Sequence, residues 1–326
     1  MAPPLRLGLI GAGRWGQVYL RTLAQLGERC RVTMLCTRRS ERAALVSSPV
    51  QVMAEWREAV RANACDAVII ATPSPTHAQI VEACLAAGLP CLVEKPFSMD
   101  LPTAVRVHER AVSSGVPVLV GHIQLFDPRY QAMRQALLTR REPIRALTFE
   151  GVGWGPFRPD TPALWDWGPH GVSLCVDLLG AGLERVTALA GPDAPDGQPG
   201  LVDLRCESAE GAVAWVQMGA LSPVKRRALA VWTDRQLYWL DAAASGPAVT
   251  AEIAWAGSAS TSPQELVWQD VPAASSCSPM ESMLHHFIDG VQGGDRSRFG
   301  TSLAVEVTRV LAACEQAMHS GSGVGG

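Results

Sequence analysis

The feature that most constrains the fold is a glycine-rich turn between an apolar run and a helical pattern near the start of the chain. Residues 5–10 have the sequence LRLGLI, which predicts a buried strand, and GAGRWG and the helical stretch VYLRTLAQL come next. Gly11 allows the tight turn, Gly13 lets a pyrophosphate approach the backbone, and Gly16 lets the helix pack on the strand. Because the N–H groups of a helix N-terminus favour an anion, this turn predicts a dinucleotide site.

Strand and helix patterns alternate about six times as far as residue 122, and the strands are nearly continuous runs of Val, Ile and Leu. Such runs are typical of parallel strands that are buried on both faces. We therefore predict an α/β fold whose N-terminal part, residues 1–122, is a doubly wound parallel sheet of the Rossmann type. Within it, SERAALV predicts a short helix with Ser40 as its N-cap.

The pattern changes after residue 122. The long, partly alternating run IRALTFEGVGW and later runs such as LVDLRCES and AVAWVQMGA, separated by turns, predict an open and mostly antiparallel sheet. We expect residues 123–319 to form an α+β domain, closed by two helices. The glycine-rich tail, residues 320–326, is predicted to be disordered.

The segment after the second predicted strand indicates which dinucleotide is preferred. An acid there would accept hydrogen bonds from the ribose 2′-hydroxyl of NAD, but the chain has Thr37, Arg38, Arg39 and Ser40. Two guanidiniums and two hydroxyls suit a 2′-phosphate, because arginine makes bidentate, charge-assisted bonds to it. We therefore predict that NADP(H) is preferred and that NAD(H) is possible.

Composition excludes several other classes of function. The net charge is -3, so the chain lacks the basic surface that nucleic acids or anionic membranes require, and it has no apolar run long enough to span a bilayer. Its 9 cysteines include no C-x-x-C pair, and no Cys/His group has metal-ligand spacing. Together with a start that lacks the layout of a signal peptide, these features favour a cytoplasmic protein without a metal.

Lysine is scarce in this chain. Of 28 basic residues only Lys95 and Lys225 are lysines. Lysine can lose its proton in a protein and arginine cannot, so a lysine kept in an arginine-rich background suggests an amine with a chemical role. Lys95 follows a predicted strand in LVEKP, which places it at the edge of the sheet where ligands bind in open α/β folds.

The sequence resembles the glucose–fructose oxidoreductase and inositol dehydrogenase family (Gfo/Idh/MocA) over nearly its whole length. The resemblance rests on IGAGRWG, ATPSPTHAQIVEACLAAG, EKP, GHIQLFDP and WDWGPHGVSLCVDLLG. It implies a Rossmann domain followed by a substrate-binding and oligomerisation domain (residues 123–319) with an open sheet, and oxidation or reduction of a hydroxyl group on a sugar or cyclitol. GHIQLFDP and the segment around GPFRPD are similar to the subgroup that acts on UDP-linked amino sugars at C3.

The resemblance also implies roles for particular residues. Lys95 matches the family's catalytic lysine, and His170 and Asp166 match the histidine and first acid of its D-x-G-x-H element. Two positions depart from the family pattern: Ser173 stands where an aspartate is frequent, and Leu125 where an arginine is frequent. The residues expected to contact the cofactor are Gly11, Gly13, Arg14, Trp15, Gly16, Thr37, Arg38, Arg39, Ser40, Thr72, Pro73, His77, Glu94, Lys95 and Gln124.

The expected chemistry is hydride transfer between the nicotinamide and a carbinol carbon of a sugar, nucleotide sugar or cyclitol. Histidine titrates near neutral pH, so His170 is our candidate for acid–base catalysis, with Asp166 orienting its ring. Lys95 is expected to bind the reacting oxygen and polarise it. The alternative is a catalytically impaired NADP-binding regulatory or accessory protein. A homodimer or homotetramer is expected, because the outer face of the second sheet needs a cover.

Overall fold

In the computed structural model, the described residues are 3–46, 49–158, 160–253 and 266–321. They divide into two compact units. The first unit is Met1–Ile123 with Ser278–Thr308, and the second is Gln124–Cys277 with Arg309–Gly326. Ser278–Thr308 therefore clusters with the first unit, although the predicted second domain ran unbroken from 123 to 319. The assignment of cofactor and substrate roles to the two parts of the chain stays a prediction.

The first unit contains a six-stranded parallel sheet with the order β3-β2-β1-β4-β5-β6, which confirms the predicted Rossmann topology. The strands are β1 Leu5–Ile10, β2 Cys30–Cys36, β3 Gln51–Met53, β4 Ala67–Ile70, β5 Cys91–Glu94 and β6 Val118–Gly121. The helices of this unit are α1 Arg14–Gln25, α2 Trp56–Arg61, α3 His77–Ala86, α4 Leu101–Ser114 and α7 Pro279–Val291.

Strands β4, β5 and β6 are buried along their whole length, as expected for parallel strands with helices on both faces. Helix α4 shows how the connecting helices are delimited. Asp100 accepts a hydrogen bond from the Thr103 N–H at its start, and Gly115 follows its end in the left-handed conformation. Residues Ser40–Leu45 form a 3₁₀ helix with no side-chain cap, so the prediction that Ser40 caps a helix was wrong.

The second unit contains an eight-stranded sheet with the order β14-β13-β12-β11-β7-β10-β9-β8, in which only the β7–β10 pair is parallel. The predicted mostly antiparallel sheet is thus confirmed. Its strands are β7 Ile144–Trp154, β8 Glu184–Ala190, β9 Leu201–Glu207, β10 Val213–Gly219, β11 Leu221–Thr233, β12 Gln236–Asp241, β13 Ala248–Glu252 and β14 Gln269–Val271. Its helices are α5 Pro128–Arg140 and α6 Ala163–Leu179.

Helix α6 packs on one face of this sheet, where a side chain at Gly171 would collide with Phe149 and Val216. Helix α8, Ser302–Gly321, ends the described chain, and the unit boundary falls inside it. The predicted disordered tail, 320–326, therefore overlaps the end of α8, and residues 322–326 lie outside the described residues.

Candidate active site

The glycine turn joins β1 to α1 as predicted, and two of its glycines have no room for a side chain. Gly11 has φ +100°, and a Cβ there would lie 2.6 Å from the Ala71 carbonyl oxygen. A Cβ at Gly16 would overlap the Gly11 carbonyl oxygen. A Cβ at Gly13 would meet no atom within 4 Å, so the space beside this residue is open. An open glycine at a helix N-terminus fits the pyrophosphate of a dinucleotide.

Helix α1 begins directly after this glycine. Its first two residues are Arg14, which is exposed, and Trp15, which is half-buried. Both residues therefore belong to the first turn of the helix, where the partial positive charge of the helix is greatest.

The segment after β2 carries the two arginines predicted to select NADP(H). The Thr37 N–H donates to the Met53 carbonyl at 2.8 Å, and the Arg39 N–H donates to the Thr37 hydroxyl at 3.2 Å, so the backbone of this turn is held in place. Arg38, Arg39 and Ser40 are exposed. Among the described residues no ion pair engages either guanidinium. Both are thus available to a phosphate.

His77 ties together the segments that follow β4 and β5. Its Nδ1 lies 2.8 Å from the Pro96 carbonyl oxygen and its Nε2 lies 2.9 Å from the Thr72 carbonyl oxygen. Burial lowers the pKa of His77. Pro73, the residue after Thr72, is exposed at this edge of the sheet. The predicted cofactor residue His77 therefore contacts the backbone on either side of the site and fixes the segment that carries Lys95.

Glu94 and Lys95 lie at the carboxyl end of β5, and both are buried, each with 7% of its surface exposed. The Tyr19 hydroxyl donates a hydrogen bond to Glu94 Oε1 at 2.6 Å. Burial, and then the charge of Glu94, raise the pKa of Tyr19. Tyr19 thus holds the acid that precedes Lys95, a role that the sequence analysis missed, although Tyr19 lies in the helix that the glycine turn opens.

His122 is a second residue that the sequence analysis missed. It follows β6, where Gly121 pairs with Glu94, so His122 and Lys95 occupy equivalent places on neighbouring parallel strands. Burial, and then the positive charge of Lys95, lower the pKa of His122 to about 4. Neither ring nitrogen hydrogen-bonds to another described residue. A neutral histidine therefore accompanies the lysine, and the motif GHIQLFDP could have indicated it.

The second unit holds the other predicted catalytic residues on α6. Asp166 and His170 are four residues apart, so they lie on one face of the helix. Asp166 forms an ion pair with Arg158 at 3.4 Å, and His170 is buried. Ser173, where the resemblance implies an aspartate, donates its hydroxyl to the His170 carbonyl at 3.1 Å. The serine hydroxyl is thus used within the helix backbone.

Two further residues of the predicted site region belong to the 3₁₀ turn Ile123–Phe126. Gln124, expected to contact the cofactor, begins the second unit, and its carbonyl accepts from the Asp127 N–H at 3.3 Å. Leu125, where the resemblance implies an arginine, is buried, and its carbonyl accepts a hydrogen bond from Gln131. An apolar side chain here cannot make the polar contact that an arginine would supply.

These features define a dinucleotide-binding oxidoreductase: a glycine turn on a parallel sheet, and a buried lysine at the carboxyl edge of that sheet. Residues 5–122 match the family model described as oxidoreductase family, NAD-binding Rossmann fold. A solved structure from Magnetospirillum magnetotacticum MS-1 is 34% identical, with 95% of this chain and 99% of that chain covered and a TM-score of 0.84. The chain belongs to the Gfo/Idh/MocA family of oxidoreductases.

Two named relatives are more distant. An inositol 2-dehydrogenase from Paenarthrobacter aurescens is 28% identical over 66% of this chain and 68% of the relative. A UDP-N-acetylglucosamine 3-dehydrogenase from Acidithiobacillus ferrooxidans is 27% identical over 66% of this chain and 63% of the relative. A structure of UDP-N-acetylglucosamine 3-dehydrogenase from that organism has a TM-score of 0.83 at 20% identity, covering 98% of this chain and 99% of that one. At that identity the likeness shows the shared fold.

Neither a membrane-spanning helix nor a metal-binding cluster occurs among the described residues. None of the described helices combines the length and apolarity needed to cross a bilayer. Within the same residues, no group of three or more His, Cys, Asp or Glu side chains has an arrangement that could hold a metal ion.

Proposed function

We propose that this protein is an oxidoreductase that prefers NADP(H) and acts on a hydroxyl or keto carbon of a sugar, nucleotide sugar or cyclitol. The observation that carries the proposal is the buried Lys95 amine at the carboxyl edge of a parallel sheet whose first turn has an open Gly13. The substrate range is supported by the relatives, which include inositol and UDP-N-acetylglucosamine dehydrogenases.

The bound nicotinamide supplies the hydride or accepts it. In this proposal Lys95 donates a hydrogen bond to the oxygen of the reacting carbon and polarises that carbon. His170 takes the hydroxyl proton during oxidation and returns it during reduction, and Asp166 orients the imidazole. Tyr19 and His77 keep Glu94 and the backbone around Lys95 in place through the hydrogen bonds described above.

The test of the proposal combines binding and turnover. Thermal-shift titrations with NADPH and NADH establish which dinucleotide binds. Absorbance of the reduced nicotinamide then follows turnover on a panel that includes myo-inositol, UDP-N-acetylglucosamine and their keto forms. Dinucleotide binding together with turnover of a panel member supports the proposal, and absence of dinucleotide binding overturns it.

The alternative, a catalytically impaired NADP-binding regulatory or accessory protein, is favoured by two observations. Ser173 offers a hydroxyl that is engaged with the helix backbone, and Leu125 offers only an apolar side chain, at positions where the resemblance to the family implies charged groups. Tight NADPH binding with no turnover over the whole panel would distinguish this alternative from an active dehydrogenase.

Replacing Arg38 and Arg39 together by alanine should raise the Kd for NADPH by about 10- to 100-fold, because charge-assisted hydrogen bonds to the 2′-phosphate are lost. The Kd for NADH should change much less, since NADH lacks that phosphate. Fluorescence titration of the reduced cofactors measures both constants. The exposed Arg61, on α2, provides the control Arg61→Ala. Equal weakening of NADPH and NADH in the double variant would refute the assigned role.

Replacing His170 by glutamine should remove the ionisation that a histidine base gives to the oxidation rate near neutral pH. The rate of the wild-type protein should rise with pH as the imidazole loses its proton, whereas the variant should be slower and lack that step. Initial rates measured across a pH series check this, with the exposed His319→Gln as control. An unchanged pH profile in the His170 variant would mean that this histidine is structural.

The proposed homodimer or homotetramer forms through the face of the second sheet opposite α6. Leu189, Trp215 and Trp239 are exposed there. Trp215 pairs with Thr148, Thr148 pairs with Ala230, and Ala230 pairs with Trp239, so the two tryptophans lie on the same face of the sheet. Exposed tryptophans on a sheet face are typical of a surface that another subunit covers. Light scattering of the purified protein gives the mass that checks this expectation.

A further inference from the structure

An arginine lies on the packed face of the second sheet. Arg227, on β11, is in register with Gly151 on β7, so both residues face the same side of the sheet. Phe149 lies on that side too, two residues before Gly151, and it is the residue against which α6 packs. The next β11 positions on this side, Leu229 and Val231, are apolar and buried. A guanidinium therefore occupies a position that continues an apolar core.

One aromatic ring lies against this guanidinium. The Arg227 Cζ atom lies 4.6 Å from the centre of the Trp167 ring, within the range of a cation–π contact. A Cβ at Gly153 would come within 3.0 Å of Trp167 Cη2, so glycine at this position lets the ring lie against β7. Trp167 thus forms one wall around the Arg227 side chain.

Arg227 has an acidic neighbour in Asp166. Burial lowers the pKa of Arg227, and the charge of Asp166 acts against that shift. Asp166, however, also forms the ion pair with Arg158. Asp166 is therefore an acidic neighbour of two guanidiniums, Arg158 and Arg227.

Hydrogen bonding at Arg227 is incomplete. Its Nη1 atom is buried and donates to no other described residue. A buried charged donor without an acceptor is costly to folding, and such groups tend to cluster at functional sites. Asp166 and Trp167 precede His170 by four and three residues, so they lie one turn from it on α6. Arg227 is therefore close to the residue proposed to act on the substrate, where a ligand is expected.

We propose that Arg227, assisted by Arg158, binds an oxyanion, a phosphate or carboxylate carried by the substrate. This inference rests on the proposed function, since it assigns a substrate class to the part of the site that contains His170. The guanidinium fork suits both anions because it can donate two parallel hydrogen bonds to either. The protein then selects an anionic sugar derivative, such as a nucleotide sugar or a sugar acid, over a neutral cyclitol.

Isothermal titration of the NADPH-bound full chain tests this, with UDP-N-acetylglucosamine and glucuronate as anionic probes and myo-inositol as the neutral one. At least one anionic probe should bind the wild-type protein, and Arg227→Met should weaken that binding about 10- to 100-fold. The probe that responds identifies the source of the anion. Its affinity should fall much more than that of myo-inositol, which has no anion to lose.

Arg226→Met is the matched control, because Arg226 is the adjacent residue on the opposite face of the strand and pairs with Glu150 at 3.0 Å. It should leave the binding of every probe unchanged. Arg158→Gln removes the second guanidinium and should also weaken binding of the anionic probe. If Arg227→Met fails to fold, Arg158→Gln alone tests whether these arginines bind the anion.

The inference is overturned if neither anionic probe binds, or if Arg227→Met and Arg158→Gln bind the anions as the wild-type protein does. It is distinguishable from the proposed function as a whole. Turnover of myo-inositol with no effect of the arginine variants on any probe would keep the oxidoreductase proposal and reject the anion site. Loss of anion binding in a protein without turnover would do the opposite.

Discussion

Replacement of Lys95 by alanine is expected to lower turnover by about 100- to 1000-fold, the loss typical when one donor to a reacting oxygen is removed. The buried amine lies at the end of β5, and no other lysine of the chain has a comparable place: Lys225 is exposed. The Kd for NADPH should change little, because the main contacts expected for that cofactor come from the glycine turn and the two arginines. Turnover numbers and fluorescence titrations measure the two effects separately.

The chain offers a convenient control for this experiment, since Lys225 is its only other lysine. Lys225→Ala should retain the turnover of the wild-type protein. Turnover of Lys95→Ala close to that of Lys225→Ala would remove Lys95 from the mechanism. A large and equal loss in NADPH affinity would instead assign Lys95 to cofactor binding rather than to the reacting oxygen.

The parts of the fold that could be predicted are those with local periodicity. The run LRLGLI, its glycine turn and the following helix all formed as expected, because each depends on neighbours in sequence. The helix predicted for SERAALV was wrong in type. The local composition allows an α-helix, but a 3₁₀ helix forms the connection between β2 and β3.

The grouping of the last helices could not be predicted, because an amphipathic helix does not specify which core it covers. Helix α7 packs with the first unit through contacts from distant residues. Arg29 hydrogen-bonds to His285 at 2.6 Å and pairs with Asp289, and nearby the Gly300 N–H donates to the Val118 carbonyl at 2.8 Å. These contacts join segments far apart in sequence.

In the candidate site too, local motifs could be predicted from the sequence and contacts between distant segments could not. Lys95 and the glycine turn were visible from sequence motifs, whereas the neighbours of Lys95 were not. His122 comes beside Lys95 only because β6 pairs with β5, and Tyr19 reaches Glu94 only because α1 packs near the end of β5. Arg227 depends on a strand register that a run of alternating residues leaves undetermined. Residues that reach a motif from another strand or helix can therefore be identified only once the fold is known.

The glycine turn allows cofactor binding to be separated from folding. Gly16→Ala should lower the free energy of unfolding by about 1–3 kcal/mol, the usual cost of an overpacked contact, because its Cβ would overlap the Gly11 carbonyl oxygen and α1 would have to move. Gly13→Ala should have almost no effect on stability. Gly13 has φ -70°, which any residue can adopt, and a methyl group there meets no protein atom within 4 Å.

Binding should show the opposite sensitivity at Gly13. If the pyrophosphate approaches the backbone at this residue, the added methyl group occupies the space of the ligand, and the Kd for NADPH should rise at least about 10-fold while the denaturation midpoint stays at the wild-type value. Urea denaturation without cofactor and fluorescence titration with NADPH measure the two quantities on the same protein. Wild-type affinity in Gly13→Ala would mean that the dinucleotide does not pass over this turn, and the assignment of the turn, with the cofactor preference derived from Arg38 and Arg39, would fail with it.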